Sequence, residues 1–254
     1  MRSELGVGET LPPIFNMKTL IGVNTLTSID NSVYLTHCQF WYRLGKEFPD
    51  EKFIFYAPHR LSIDNMRNNA AKIALEQECD YLMFIDDDMI LDPNTFSSLL
   101  HADADIAMAL TYIRTPPFAP MFFQQFEQNG RRYLKLFPNE FNSFKDANGY
   151  ISVDAVGFAC VLIDCSLLKR LSPPWFVTLP GITEDVYFCM RCRDELRDVT
   201  IKVDTNVPTG HVMDPQVVTS STVEKLREFY EVKDQEVNLD RGTDYAEKIE
   251  ALFR

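Results

Sequence analysis

The sequence predicts an α/β fold in which a mainly parallel central sheet carries helices on both faces. Apolar, β-branched runs alternate with segments of helical character over the first half of the chain, an order typical of βαβ units. The 254 residues are 46% hydrophobic and 24% charged, which is ordinary for a globular protein. The chain is long enough for one large domain or two small ones with a sizeable core.

The predicted elements are read in chain order from apolar runs and capping residues. Strands are expected over 19–26, 52–57, 81–85, 105–113, 153–164 and 201–207, and helices after the N-cap candidates Asp30 or Asn31, Ser62 or Asp64, Asp92, Thr183 and Ser221. Pro93 suits a first helical position, and Ser221 with Glu224 suits a capping box. Residues 114–145 are rich in aromatics, and the stretch after Tyr112 is predicted to be an irregular excursion or a hairpin.

Charge and cysteine usage argue against several classes of function. The net charge of −12 argues against a bulk electrostatic grip on nucleic acid or an anionic membrane. No apolar run reaches about 18 residues, and the first residues lack the apolar region of a signal peptide, so we expect a cytoplasmic protein. Cys189 and Cys192 form a lone CxxC with no second ligand pair, and a zinc site is therefore not expected.

Three consecutive carboxylates, Asp86, Asp87 and Asp88, follow the apolar strand in YLMFIDDDMILDP. Ligands of parallel α/β sheets bind beyond the carboxyl ends of the strands. If the chain stays extended there, Asp86 and Asp88 point to one side and suit Mg²⁺ or Mn²⁺. The alternative is a polar turn after a core strand. An EF-hand is excluded, since Ile90 and Leu91 stand where that loop needs Asp or Asn and Gly.

Other candidates are weaker when each is taken alone. Glu184 and Asp185 open a predicted helix, where they serve either helix-start electrostatics or general-base chemistry. His211 is either an ordinary core or surface histidine or a further metal ligand. Arg67 either faces solvent or contacts a nucleotide. Gly157, inside a predicted strand, indicates a close backbone approach to a ligand or to another strand.

In order, these pieces resemble the GT-A-fold glycosyltransferases, most closely the small family-2-like enzymes of bacteria and their phages. The matching stretches are IGVNTL, MRNNAAKIAL, YLMFIDDDMILDP, VDAVGFACVLI, PPWF, TEDVYFC and VPTGH. The resemblance covers most of residues 19–212. It implies a catalytic domain over 19–213, preceded by an N-terminal extension (1–18) and followed by a helical tail (214–254).

The resemblance implies transfer of a sugar from a nucleotide-sugar donor, with a UDP-sugar expected, to an acceptor hydroxyl. An inverting displacement is expected, but the same fold hosts retaining enzymes, so the stereochemistry stays open. It also implies a role for each matching residue. The metal ligands would be Asp86, Asp88 and His211, and the general base would be Asp185, with Glu184 beside the acceptor. The donor would be bound by Thr25, Arg60, Arg67, Asp87 and Gly157, and the acceptor by Trp175 and Arg114.

Several alternatives stay open. Family members often carry an acidic residue after the second strand to bind uracil, but here the chain reads APHR, so Arg60 is only a substitute and the base is undetermined. The acceptor is a glycan or lipid-linked sugar by default, or a hydroxymethylated base of DNA if the source is a phage, with the host cytoplasm as compartment. A sugar-phosphate nucleotidyltransferase lacks support, because GVNTLTSID has no glycine-rich basic loop. A non-catalytic carbohydrate-binding relative is the remaining alternative.

Overall fold

A computed structural model describes residues 16–25, 29–58, 60–207, 209–213 and 216–230. Most of the predicted N-terminal extension lies outside these ranges. Of the predicted helical tail, the structure describes one strand and one short helix, and residues 231–254 lie outside the description. No helix in the described ranges is both long and apolar enough to cross a bilayer.

Thirteen strands and six α-helices follow one another along the described chain. The strands are β1 (Lys18–Asn24), β2 (Lys52–Tyr56), β3 (Tyr81–Asp86), β4 (Met89–Ile90), β5 (Ile106–Ala109), β6 (Phe122–Gln128), β7 (Arg131–Leu136), β8 (Tyr150–Ser152), β9 (Ala155–Val156), β10 (Cys160–Asp164), β11 (Ile201–Asp204), β12 (Gly210–Met213) and β13 (Gln216–Val218). The helices are α1 (Asn31–Glu47), α2 (Ile63–Glu76), α3 (Thr95–His101), α4 (Cys165–Arg170), α5 (Glu184–Leu196) and α6 (Val223–Phe229).

The central sheet has seven strands in the order β2-β1-β3-β10-β5-β11-β8. Strands β1, β2, β3, β5 and β11 run in one direction, whereas β10 and β8 run against their neighbours. The predicted mainly parallel sheet is therefore confirmed. Because β1, β2 and β3 are parallel, their carboxyl ends lie at one edge of the sheet.

Two hydrophobic clusters cover the two faces of this sheet. In β3, Leu82 and Phe84 belong to one cluster and Met83 and Ile85 to the other, as the two-residue period of a strand requires. The first cluster includes buried residues of α2, α4 and α5, and the second includes residues of α1 and α3. The three-layer arrangement follows from this alternation.

Two smaller three-stranded sheets stand outside the main one, in the orders β13-β12-β4 and β7-β6-β9. The pair β6–β7 is the hairpin expected after Tyr112. Strand β13, at 216–218, pairs with β12, so the segment predicted as the start of the tail belongs to a sheet. Strand β4 has only two residues, too few for a sequence pattern to mark.

Several local predictions are confirmed and others are wrong by a few residues. Asp30 caps α1, and its side chain accepts from Ser32 N. Asp92 does not cap α3, which begins after Asn94, because its carboxylate instead accepts from Asn94 N at 2.8 Å and closes a turn. The predicted strand 153–164 is interrupted at 157–159, where the chain leaves the hairpin sheet and enters the central sheet.

Candidate active site

The candidate site begins where β1 and β3 end side by side. Asn24 and Asp86 are paired in the register of these parallel strands, and Asn24 Nδ2 donates to Asp86 Oδ1 at 3.4 Å. Asn24 was not among the predicted site residues. Asn24 was recognisable in the sequence as a polar residue at the end of a buried apolar strand. Its pairing with Asp86 could not be predicted, because that pairing depends on the order of the strands in the sheet.

Arg67, from α2, joins two acidic segments that are far apart in sequence. Its Nη2 lies 3.5 Å from Asp86 Oδ1, and its Nη1 lies 2.9 Å from Glu184 Oε1. The Nη1 contact is an ion pair rather than an aligned hydrogen bond. Nη2 also donates to Phe158 O at 3.3 Å. Only 2% of Arg67 is exposed, so it does not face solvent: the guanidinium lies between two carboxylates, and its contact with a nucleoside stays a prediction.

Aromatic rings complete the surroundings of this arginine. The Arg67 guanidinium carbon lies 5.4 Å from the ring centre of Phe84 and 5.3 Å from that of Phe158, distances typical of cation–π contacts. Phe84 comes from β3, and Phe158 from the break between β9 and β10. The charge is thus held on rigid elements from three parts of the chain.

On the other side of the strand end, the small sheet brings His211 to Asp88. Strand β12 pairs with β4 so that His211 faces Met89, and Val212 N donates to Asp88 O at 2.9 Å. His211 Nε2 lies 3.2 Å from Asp88 Oδ2. Arg114 Nη1 donates to the same carboxylate oxygen. The predicted proximity of Asp88 and His211 therefore depends on β4, which the sequence did not reveal.

The main chain fixes the tautomer of His211. Its Nδ1 lies 2.8 Å from Tyr112 O, and because a carbonyl only accepts, Nδ1 carries a proton. Nε2 then faces the Asp88 carboxylate either as a second N–H or as a lone pair. In the second case, the lone pair of His211 Nε2 and the Asp88 carboxylate are close enough to bind the same cation.

Burial and charge shift the pKa values of these groups in different directions. Burial raises the pKa of Asp86 to about 7, although Arg67 partly opposes this and Asp88 adds to it. Burial also disfavours the ionised form of Asp88, but His211 and Arg114 outweigh it and hold its pKa below the ordinary value. Burial opposes protonation of His211, yet the Asp88 hydrogen bond and charge raise its pKa.

Glu184 and Asp185 open α5 and are both buried. Burial raises the pKa of Glu184, against the lowering effect of Arg67. Asp185 Oδ2 accepts from Phe158 N at 3.2 Å, and its Oδ1 accepts from Val186 N at 2.7 Å. Thus Phe158 holds Arg67 through its carbonyl and Asp185 through its N–H, and one peptide segment positions both.

Gly157 permits the close approach that the sequence predicted, and in this structure the neighbour is another chain segment. Gly157 N donates to Met121 O at 2.8 Å. A Cβ added at this glycine would lie 2.6 Å from Met121 Cε and 3.3 Å from Met121 Cβ. The glycine lets the segment that carries Phe158 pack beneath the hairpin sheet.

The metal prediction fits these residues in part. Within the described ranges, no three side chains of His, Cys, Asp and Glu form a group that could hold a metal ion, and the metal-ligand roles of Asp86, Asp88 and His211 stay predictions. Asp86 is directed to Arg67 and Asn24, because a buried arginine needs a counter-charge. Asp88 and His211 remain a pair of suitable ligands, and Mg²⁺ in phosphate sites commonly takes only one or two carboxylates plus the substrate oxygens.

Trp175 does not line the site. Its ring lies in the hydrophobic core, and its indole Nε1 donates to Leu168 O at 3.0 Å and Leu171 O at 3.2 Å. A buried indole N–H needs such a partner, and the carbonyls at the end of α4 provide it. The predicted acceptor wall at Trp175 is therefore wrong.

The other predicted donor residues lie at the same edge of the sheet. Thr25 is half-buried directly after β1, and Asp87 is half-buried in the turn between β3 and β4. Arg60 is exposed in the loop after β2 with a φ of 56°. Their roles as donor contacts remain predictions.

Comparison with known proteins shows the fold and no more. No family model matches the chain, and no curated protein matches it. Among solved structures, A197 from STIV aligns at 16% identity and a TM-score of 0.52, covering 81% of this chain and 91% of that one. The inositol-1-phosphate CTP transferase from T. maritima aligns at 12% identity and a TM-score of 0.40, covering 84% and 97%. The likeness to A197 supports the α/β architecture described above.

Proposed function

We propose that this protein is a glycosyltransferase that moves a sugar from a nucleotide-diphosphate sugar to an acceptor hydroxyl. The observation that carries the proposal is the convergence of three separate segments at one strand end. Asp88 meets His211 at 3.2 Å, and Arg67 couples Asp86 to Glu184, the neighbour of Asp185. These are the segments that carry the resemblance to GT-A enzymes, and they lie where ligands of parallel sheets bind.

Asp88 and His211 would hold Mg²⁺ or Mn²⁺ together with the donor diphosphate. Such an ion stabilises the negative charge that develops on a leaving diphosphate. Arg114 adds a second cation on the same carboxylate. Its side chain is 53% exposed, so it can turn from Asp88 to a phosphate at little cost. A diphosphate would therefore meet positive charge from two directions.

Asp185 would remove the proton from the acceptor hydroxyl. Hydrogen bonds from two main-chain N–H groups fix both of its oxygens, and this gives the orientation that a general base needs. Glu184 Oε1 lies 2.9 Å from Arg67 Nη1, and this ion pair leaves its carboxylate less available than that of Asp185 to take a proton from the acceptor. This assignment makes Asp185 the catalytic residue and Glu184 its companion beside the acceptor.

Calorimetry with a panel of UDP-, dTDP- and GDP-sugars, with and without Mn²⁺, tests the proposal. We expect one donor to bind wild-type protein in a metal-dependent manner. Asp88→Ala should lose that binding while retaining its circular-dichroism spectrum and melting temperature. Asp50→Ala, which removes an exposed carboxylate elsewhere, should bind like wild type.

Transfer is then measured with the donor that binds. Release of the nucleoside diphosphate in the presence of an acceptor should fall in Asp185→Asn, while donor binding stays unchanged. Donor binding without turnover with any acceptor tried would favour the non-catalytic alternative. A folded Asp88→Ala variant with full donor binding would refute the site.

A further inference from the structure

An open pocket of about 410 Å³ lies between the β6–β7 hairpin and α5, and the reaction proposed above does not use it. Its size falls within the range of about 300–1,000 Å³ that is typical of small-molecule sites. The β6–β7 hairpin forms one wall of the pocket, and helix α5 forms the other.

The hairpin supplies one wall through the face that points away from solvent. Phe123 pairs with Leu136, and Leu134 lies two residues before Leu136 in β7, so the three side chains share a face. All three line the pocket. Across it, Val186 and Met190 stand one helical turn apart on α5. Both walls are therefore apolar.

A tight turn closes one end of the pocket. Leu179 N donates to Ile182 O at 2.9 Å, and Ile182 N donates to Leu179 O at 3.0 Å. Gly181, between them, has a φ of +82°, a conformation that glycine adopts without strain. Leu179 and Ile182 both line the pocket, as do the flanking Thr178 and Thr183, so the turn adds apolar surface with a hydroxyl-bearing residue on each side.

The pocket offers little to a charged ligand. Arg132 is the one charged residue in its described lining, and this arginine already donates to Asp194, with Nη2 3.1 Å from Oδ2. No carboxylate lines the described pocket. A phosphate would find no free cation among these described residues. Tyr133, Thr178 and Thr183 also line the pocket, and their hydroxyl groups suit a sugar, whereas an alkyl chain or a ring would bury apolar surface against the rest.

Two residues of the pocket lining are sequence neighbours of residues in the candidate site. Ile113 precedes Arg114, which contacts Asp88, and Val186 follows the proposed base Asp185. This connectivity brings the main chain of the pocket wall within one residue of the proposed base. The position suits the acceptor rather than the donor, whose diphosphate would lie at Asp88.

We propose that this pocket is the acceptor subsite and binds an apolar group, alkyl or aryl, carried next to the acceptor hydroxyl. The assignment of an acceptor to this pocket rests on the proposed glycosyl transfer. The binding preference that it predicts can be measured without turnover. A lipid-linked sugar and an aryl glycoside share this chemistry, and separate probes distinguish them.

Calorimetric titration with methyl, hexyl and phenyl glycosides of glucose, galactose and mannose, below micellar concentrations, tests the assignment. We expect a hexyl or phenyl glycoside to bind at least about tenfold more tightly than its methyl counterpart. Preference for hexyl indicates a lipid chain, and preference for phenyl indicates an aromatic aglycone.

Two variants locate the binding. Leu134→Trp fills the pocket from the hairpin and should abolish the preference, while donor binding stays at the wild-type level. Gln124→Trp places the same ring on the opposite, exposed face of the hairpin and should leave the preference intact. Equal binding of methyl, hexyl and phenyl glycosides, or a preference that survives in a folded Leu134→Trp, overturns the assignment.

The proposed function and this subsite can fail separately. Wild-type protein that binds no donor but prefers the hexyl or phenyl glycoside, with the preference lost in Leu134→Trp, contradicts glycosyl transfer and retains an apolar binding site. Donor binding with no such preference contradicts the subsite and leaves the proposed function standing.

Discussion

Two arginines flank the end of β3, and they differ in almost every property that matters for function. Arg67 is 2% exposed and lies between Asp86, Glu184 and the Phe158 carbonyl. The Arg114 side chain is 53% exposed and contacts Asp88, whose Oδ2 also lies 3.2 Å from His211 Nε2. The first arrangement is enclosed by α2, β3 and α5, and the second opens to solvent.

The difference in exposure separates a structural cluster around Arg67 from an exposed cation, Arg114, that is accessible to a ligand. A buried charge that loses its partner is costly, so the Arg67 cluster stays in one geometry and ties the strand end to the start of α5. An exposed ion pair contributes little to stability and can exchange partners. Under the proposed function, a phosphate would enter on the Arg114 side, while the Arg67 side would keep Glu184 and Asp185 aligned.

The largest effect on stability is expected from Arg67→Met. This change leaves the buried Glu184 and the half-buried Asp86 without their counter-charge, which costs about 3–5 kcal/mol of unfolding free energy. Urea denaturation measures it. Arg43→Met, which breaks an exposed ion pair with Glu47 on α1, should change stability by less than about 1 kcal/mol. Similar losses in both variants would mean that the Arg67 cluster is not a buried ion network.

Arg67→Lys distinguishes charge from shape in the same cluster. Lysine keeps the charge but cannot span two carboxylates with a planar fork. We expect it to recover part of the lost stability and less of the lost turnover, with kcat reduced more than KM is raised. Full recovery of kcat by lysine would show that only the charge matters.

On the open side, Asp88→Asn should reduce turnover by at least about 100-fold, the scale of losing one strong electrostatic contact in a transition state. Stability should change little, because Arg114 is exposed and His211 can remain neutral. The measurement is release of nucleoside diphosphate at saturating Mn²⁺, alongside a melting curve. If Asp88→Asn unfolds, Asp88 is needed for stability in the same way as the Arg67 cluster, and the proposed difference between the two arginine sites is contradicted.

The sequence predicted much of this arrangement because its signals are local. The alternation of apolar strands and capped helices predicts the parallel sheet, and the acidic run at the end of β3 predicts where a ligand binds. The order of strands is not local. Asn24 became part of the site only because β1 lies beside β3.

The errors have the same origin. Arg67 looks solvent-exposed on an Ala-rich helix, and only packing reveals that it lies between two distant carboxylates. Trp175 was expected at the acceptor, but its indole N–H is satisfied inside the core by carbonyls at the end of α4. Burial of polar atoms depends on long-range contacts, and sequence periodicity does not encode them.

The pKa of Asp86 gives a pH test of the enclosed side. Its pKa is raised from 3.8 to about 7 in the folded protein, so between these values the folded state binds a proton that the unfolded state releases. The wild-type unfolding free energy therefore falls as pH rises from about 4 to 7 through this group. Asn cannot ionise, so the stability of Asp86→Asn relative to wild type should rise across the same window and level off above it.

The expected rise is about 2 kcal/mol. A pKa difference of this size corresponds to at most about 4 kcal/mol, and the Asp86 side chain is 28% exposed, so water weakens the effect. Urea denaturation of both proteins at several pH values, without divalent cations, measures it. A constant difference from pH 4 to 8 would contradict a raised pKa at Asp86.

The smallest effect is expected at Gly157, which supports the enclosed side from beneath. In Gly157→Ala the new Cβ meets the flexible end of Met121, which can move, and also the Met121 Cβ at 3.3 Å, which cannot move without the backbone. We expect a loss of about 1 kcal/mol and a reduction in kcat, because a displaced Phe158 peptide carries both Arg67 and Asp185 with it. Gly45→Ala is the matched control: nothing lies within 4 Å of its Cβ position in α1, so alanine should stabilise the helix by about 0.5–1 kcal/mol and leave kcat unchanged. If Gly157→Ala lowers stability without lowering kcat, Phe158 does not transmit its position to the reacting residues, and Asp185 must be oriented by the start of α5 alone.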